Sequence, residues 1–546
     1  MLGVFALSAT LLASSHASHA QSAPTPSPLG TPSPTGTPSP IETPMPAATA
    51  PPQPSAGATP VPMAADPASA GVPVGGTATV HLNGVFGDAH ATVADPHLLD
   101  AVVDQDTRKL TLSGKAAGVT AVRVQDGRGV TLDIPVRVAY NAGTVGPGIV
   151  VHITGDPASA DFLREIASQA AIRVAQARPG AQIIAPSDGI DVRSPLPQDN
   201  VLNLNVPVLI QGNGMFSVQR DTVVRIDNDA APRISPDLLM VSDFPERLTA
   251  DGILFTRDLD RGLPTRFLYF HYNPGDQPDR RIVLRAVNTS SAPALVQFIS
   301  GSGGPGANEM EVGHLSTSRF LLRLVQNQGT LMQIPGNSSL NLVEQPMPAK
   351  SVVSNILQLR VLSGPTVHLT LFAQTASQDP AAALSTDGLL SSTVRHARGV
   401  YRIPEFKYDV SWNTTSPYLD LPIGQIPLQN QIQSGEALSG DYGVKQTFNI
   451  KIVNPTAAPQ PIAIYENPRG GRATATFLID GVLVQSHGVP AFSRYKIRQY
   501  VVPARGFINI RNLVTFPEPG SSYPLRLEIA PDDGSVPPGA PGSPVY

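Results

Sequence analysis

Phe448-Asn-Ile-Lys-Ile-Val-Asn-Pro-Thr-Ala-Ala-Pro459 reads as a strand running into a turn. Apolar and polar residues alternate, and the Asn-Pro pair then interrupts the ladder. Downstream stand Val489-Pro-Ala491, Val502-Pro-Ala-Arg505 and Ser522-Tyr-Pro-Leu-Arg-Leu527. An earlier part of the chain offers the same landmarks in the same order. They are Ile282-Val-Leu-Arg-Ala-Val-Asn-Thr-Ser-Ser-Ala-Pro293, Ile334-Pro335, Met347-Pro-Ala-Lys350 and Val367-His-Leu-Thr-Leu371. The main length difference falls in a Gly-rich stretch of the first copy. Strands at roughly ten-residue spacing, punctuated by Pro, Gly and Asn, point to two related β-sandwich modules, residues 200–374 and 399–531. The fold class that follows is mainly β and multidomain: Ig-like/β-sandwich modules with one small α+β (β-α-β) domain.

Composition agrees. The 546 residues include 56 prolines and 47 glycines, with only 15% charged, which favours strands and turns over helices. A net charge of −4 creates no field for nucleic acid or an anionic membrane. Without cysteine there are no disulfides, thiolate metal sites or thiol nucleophiles.

The first twenty residues read as a signal peptide, with an apolar run from Leu2 to Ala13 and Ser18-His-Ala20 before Gln21. The lack of a basic segment before that run leaves open a start upstream of Met1. Residues 21–73 form a Pro/Thr/Ser-rich tract with Thr-Pro-Ser-Pro units at 25–28, 31–34 and 37–40, expected to be a disordered stalk. Residues 375–398 read as a linker and 532–546 as a tail. No later stretch has the ~18 apolar residues of a membrane helix. The expected location is extracytoplasmic: periplasm, cell surface or secreted.

Residues 74–140 show short alternating strands, Thr77-Ala-Thr-Val-His-Leu82 and Lys109-Leu-Thr-Leu-Ser113 among them, with a hairpin signal at Asp126-Gly-Arg-Gly129. Val93-Ala-Asp-Pro96, Leu98-Leu-Asp-Ala-Val-Val103 and Leu110-Thr-Leu-Ser-Gly-Lys-Ala-Ala-Gly-Val-Thr120 resemble the N-terminal domain of pilus-assembly secretins of type II/IV systems. A general bacterial Ig-like domain shares the ending of this pattern and is the other reading. In residues 148–195, Ile149-Val-Val-His-Ile-Thr154 precedes an amphipathic run at 158–177, where Phe162, Ile166, Ala170 and Val174 share one face. Asp156 is the expected N-cap, with Pro157 at the first helical position. This unit resembles the BON-like domain that follows in pilus secretins. The resemblance implies docking into a pilus or secretion assembly. Membrane-barrel strands and a secretin core are not found, which puts pore formation in doubt.

Candidate chemistry is sparse. Gly301-Ser-Gly-Gly-Pro-Gly306 satisfies G-x-G-x-x-G, but Pro305 and the missing acidic ribose partner favour a hairpin loop over a dinucleotide site. His271, expected on a strand face, and His314 and His487, expected at turns, read as structural. Asp258-Leu-Asp260 and Asp227-Asn-Asp229 lack the further oxygens of a calcium loop. Period 2 in Arg494-Tyr-Lys-Ile-Arg498 places Arg494, Lys496 and Arg498 on one strand face, a possible partner-binding patch for a polyanion; the bland reading is a solvated face that discourages edge pairing. No catalytic, cofactor or metal residue is assigned, and no cofactor is expected.

The expected function is that of an exported, non-catalytic envelope protein docked to a pilus or secretion assembly. The rivals are a secreted or surface-displayed adhesive protein and an envelope glycan hydrolase, for which Glu466 or Asp480 would have to face another acid in a pocket.

Overall fold

The computed structural model describes residues 61–379, 381, 389–390 and 397–535. Residues 1–20 and most of the Pro-rich tract lie outside that range, as do most of 375–398 and all of 536–546.

The N-terminal module is a sandwich of two four-stranded sheets. One runs Ala64–Asp66, Thr77–Asn83, Lys109–Gly114, Leu99–Asp104; the other runs Ala70–Pro73, Thr131–Ala139, Gly118–Gln125, His90–Val93. Alternation sends Val80, Leu82, Leu110, Leu112, Val122, Val124, Ile134 and Val136 into one core. The first two strands correct the expected disorder up to residue 73: Val72 is fully buried in that core. A Cβ on Gly114 would meet the Pro73 carbonyl at 2.4 Å, so this glycine lets the two sheets close.

The α+β unit is larger than residues 148–195. Strand Gly148–Thr154 leads to helix α1 (Ala160–Arg173), then Ala181–Ile184 and a long hairpin, Asn200–Gly212 with Val218–Asn228. Phe162, Leu163, Ile166, Ala167 and Ala170 of α1 share a core with Val206, Val208, Ile210, Val224 and Ile226. The hairpin therefore belongs to this unit rather than to the module after it. The cap is Ser159, whose Oγ accepts the Phe162 N–H at 3.4 Å. Asp156 is taken by other partners: its N–H donates to the Gln326 carbonyl and its side chain meets Arg233.

The two C-terminal modules repeat one topology. The first comprises β1 (Leu238–Ser242), β2 (Gly252–Leu259), β3 (Thr265–Asn273), β4 (Arg280–Asn288), β5 (Ala294–Gly306), α2 (Glu309–Val325), β6 (Gly329–Ile334), β7 (Ser338–Met347), β8 (Ser351–Ser363) and β9 (Val367–Thr375). The second comprises β10 (Glu405–Asn413), β11 (Leu419–Ile423), β12 (Lys445–Val453), β13 (Gln460–Pro468), β14 (Ala473–Ile479), β15 (Val482–Val489), β16 (Tyr495–Val502), β17 (Phe507–Thr515) and β18 (Leu525–Pro531). Sheet order is β1-β3-β8-β5-β6 over β2-β9-β4-β7 in the first, and β10-β12-β17-β14-β15 over β11-β18-β13-β16 in the second. Strand n of one matches strand n+9 of the other. The first module's larger sheet continues through β6 into Gly148–Thr154, so module and α+β unit share a ten-stranded sheet.

The apolar-Pro landmarks mark corners where the chain crosses from one sheet to the other. Each puts a non-glycine residue at positive φ just before the next strand: Asn337 (52°), Lys350 (62°), Phe492 (61°) and Arg505 (52°). An asparagine staples the corners. Asn273 Nδ2 donates to the Met347 and Pro278 carbonyls, and Asn454 Nδ2 to those of Val502, Pro503 and Ala458. Asn288 makes the same staple to Ile334 and Pro335. The structural counterpart of Phe448–Pro459 is therefore β3 with its Asn273 turn. The landmark at 282–293 lies one strand later, because the first module carries the staple twice.

The Gly-rich stretch is a strand, not a hairpin loop. Gly301 and Gly303 lie in β5 directly under α2, where an added Cβ would meet the Ser316 carbonyl at 2.4 Å and the Val312 carbonyl at 2.0 Å. The strand pairs antiparallel on both sides, so the parallel crossover of a dinucleotide fold is not formed. Asn308 caps α2, accepting the Met310 and Glu311 N–H groups. The helix packs between β5 and β8 on one side and β14 and β15 on the other. Phe320, Leu321, Leu239, Val241, Leu268, Ile356, Tyr401, Phe406 and Phe516 form the core of this junction. Buried Arg266 crosses it, donating to the Pro404 carbonyl and pairing with Glu405 at 3.1 Å, over the rings of Phe320 and Phe516.

Candidate binding site

Arg494, Lys496 and Arg498 do not share one free basic face. A register break between Ile464 and Tyr465 on β13 rotates β16, so Lys496 and Ile497 are both buried. Arg494 pairs with Glu528, and Lys496 is held by Asp532, Asp533 and the Ser535 carbonyl. Arg498 is half-buried. This strand anchors the first residues of the expected tail rather than presenting charge to a partner.

The acidic pairs are engaged internally. Asp258 binds His368 at 2.7 Å, Asp260 accepts from Thr366, Asp227 pairs with Arg225 and Asp229 with His152. His271 is in the core of the first module, between the Pro245 carbonyl at 2.8 Å and the Ser242 hydroxyl at 3.3 Å, and burial pushes its pKa down to about 4.

His314 and His487 are not at turns. His314 is in α2 and His487 in β15, with ring centroids 4.5 Å apart across the junction. His314 Nδ1 meets Glu518 Oε2 at 2.9 Å, and Glu518 accepts from Thr474, which also bonds Ser521. Burial pushes the imidazole down, but the Glu518 hydrogen bond and charge outweigh it and the pKa is raised. Glu466 is fully buried with neither oxygen partnered; burial first, then the Glu518 charge, pushes it up to about 8. This acid pair is enclosed between β13, β14 and α2, both side chains being fully buried. Asp480 sits at the β14–β15 turn and accepts the Tyr500 hydroxyl at 2.7 Å.

An open groove lies elsewhere. On the outer face of the second module, β10, β12 and β17 form a shallow, open groove of about 570 Å³. Alternation builds it. Tyr408, Val410, Trp412, Phe448, Ile450, Ile452, Ile508 and Ile510 point into the sandwich core. Asp409, Ser411, Asn449, Lys451, Asn509 and Arg511 then face outward. Register aligns Asp409 with Asn449, and Ser411 with Lys451 and Asn509. A bulge between Phe448 and Ile450 lets left-handed Asn512 (φ 54°) enter the groove wall. Asn449 ties the wall together, donating to Asp409 Oδ1 at 2.9 Å and accepting the Asn512 N–H at 3.0 Å. Lys451 lies 4.9 Å from the exposed ring of Phe507. Neither Lys451 nor Arg511 has a carboxylate partner among the described residues.

These groove residues escaped the sequence reading. Their signal is the alternation in Glu405-Phe-Lys-Tyr-Asp-Val-Ser-Trp-Asn413 and Phe507-Ile-Asn-Ile-Arg-Asn512. It becomes a site only once the strand order places these segments beside β12.

No family model matches this chain, those of secretin N-terminal and BON domains included, and no curated protein matches it. Among solved structures, domains 5–6 of the S-layer protein SbsC align at 15% identity over 31% of this chain and 97% of theirs, with a TM-score of 0.13. The Bacteroides ovatus protein SGBP-B, solved with a mixed-linkage heptasaccharide, aligns at 10% identity over 53% of this chain and 71% of its own, with a TM-score of 0.12. Likenesses at these scores carry no argument about function. The chain's own sheets establish the fold class: mainly β, in several sandwich modules, with two α-helices among the described residues. No described helix is long and apolar enough to cross a membrane.

Proposed function

We propose that the protein is an exported, non-catalytic component of the bacterial cell envelope that works by binding. The N-terminal sandwich would dock it to a pilus or secretion assembly, and the C-terminal sandwich would present the groove. The observation that carries the binding reading is where polar groups remain free. The groove holds two cations without carboxylate partners and a row of amides, whereas Glu466, which burial pushes up to about 8, is fully enclosed. A hydrolase needs two carboxylates facing substrate across a cleft, and Glu466 with Glu518 has no such opening. Export rests on residues 1–20, and the docking arm on the resemblance of residues 93–120 to secretin N-terminal domains.

The test is a crosslinked pull-down of the tagged protein from intact envelopes, read by mass spectrometry. Secretin or pilus components crosslinked through residues 74–185 are the expected result. Recovery only through β10, β12 and β17 would remove the docking arm and leave a surface-displayed binding protein. Recovery of nothing would remove the binding reading.

A further inference from the structure

Resting on the reading of this chain as a binding protein, we propose that the outer face of β10, β12 and β17 binds an acidic polysaccharide, a glycan whose sugar rings carry carboxylates. Charge is the first argument. Lys451 and Arg511 reach the groove from neighbouring strands, two residues out of register, a diagonal of about 7–8 Å between backbones. The one anion there, Asp409, is tied to the Asn449 amide. The free charge offered to a ligand is therefore positive and comes as two separated points, which suits a chain bearing repeated carboxylates.

The neutral groups narrow the class. Asn449, Asn509, Asn512 and Ser411 offer amide and hydroxyl donors and acceptors, the chemistry that hydroxyl pairs on a sugar ring can satisfy from both sides. The Asp409–Asn449–Asn512 network fixes one wall before any ligand arrives, so less ordering cost falls on binding. At the rim, the exposed Phe507 ring, with the Lys451 ammonium over one face, leaves apolar surface for contact with a sugar.

An extended peptide fits less well. Peptides add to sheets through backbone hydrogen bonds at an edge. This groove lies on a sheet face, where β12 and β17 are already paired on both sides. Nucleic acid, with a phosphate at every nucleotide, would require more phosphate-neutralising cations than the two in this groove.

The experiment is affinity electrophoresis of the full chain in gels containing polygalacturonate, with dextran as the neutral control. It is run beside the Lys451→Gln/Arg511→Gln double variant and, separately, Asn449→Ala. Both variants change exposed or half-buried groups, and matching urea midpoints establish that they are folded. Polygalacturonate should retard the parent chain and dextran should not. Retardation should weaken about two- to thirtyfold in the double variant, the scale of two exposed ion pairs, and fall with added salt. Equal retardation of parent and double variant, or no retardation of the parent by the uronate polymer, would overturn the proposal. Sedimentation with intact envelopes separates that failure from failure of the binding reading. Envelope binding unchanged in the double variant overturns the ligand class alone, and no envelope binding by the parent overturns both.

Discussion

The two C-terminal modules have the same strand order but opposite uses for one sheet face. Aligned through their Asn staples and corners, Val241, Leu268, Phe270 and Ile356 of the first module stand where the second has Asp409, Asn449, Lys451 and Arg511. In the first module these four are buried beneath α2 and the second module. In the second, their counterparts line an open groove. The inward faces are apolar in both. Inward residues thus specify the fold, while outward residues decide whether a module meets another module or a ligand. The helix marks the same division: α2 fills the β5–β6 connection, where β14 and β15 meet in the short Asp480-Gly481 turn.

The comparison is broken most severely by exchanging residues between the faces. Leu268→Asn, which installs the second module's residue in the first, should cost about 3–5 kcal/mol in urea denaturation, since it removes buried apolar volume and buries an amide. Asn449→Leu, the reverse exchange, should change stability by about 1 kcal/mol or less, because only the exposed Asp409 contact and one backbone bond are lost. Equal costs would mean the two faces are not differently used.

The staples test the likeness of the modules. Asn273→Ala and Asn454→Ala each strand buried carbonyls, and each should cost about 1–3 kcal/mol. Similar losses would sharpen the equivalence of β3 and β12; a loss confined to one would break it.

A pH effect also separates the modules. Folded Glu466 keeps its proton up to about 8, whereas the unfolded chain releases it near 4.5. Between those values the unfolded state binds fewer protons, so stability is fullest below about 4.5 and declines as pH rises toward 8. The raised His314 acts with the same sign, its contribution present below about 6.5 and lost as pH rises through its folded pKa. Glu466→Gln should flatten the decline in urea midpoint between pH 5 and 8. A slope unchanged in that variant would remove Glu466 from the account.

Much of the fold was legible because its signals are local. Alternation marked the strands, and the apolar-Pro corners marked the repeat. The register of the repeat slipped because Asn273 and Asn288 make the same staple one strand apart. Helix α2 was missed although Asn308 and Glu311 stand at capping spacing, because the glycines before it suggested a loop. Its glycines serve close packing of helix on strand, a contact that sequence spacing does not reveal. The basic strand was misjudged because period 2 assumes an unbroken register, and β16 has a break. The groove was least legible of all, since its residues come from β10, β12 and β17, which the strand order alone brings together.

The most direct test of the central claim is acylation of lysines in the purified chain and in intact envelopes, read residue by residue. Lys451 should react rapidly in the purified protein and be protected in envelopes, while Lys445, paired with Glu405 at 2.7 Å in the junction, should be slow in both. Equal reactivity of Lys451 in the two preparations would contradict the assignment of this face to binding.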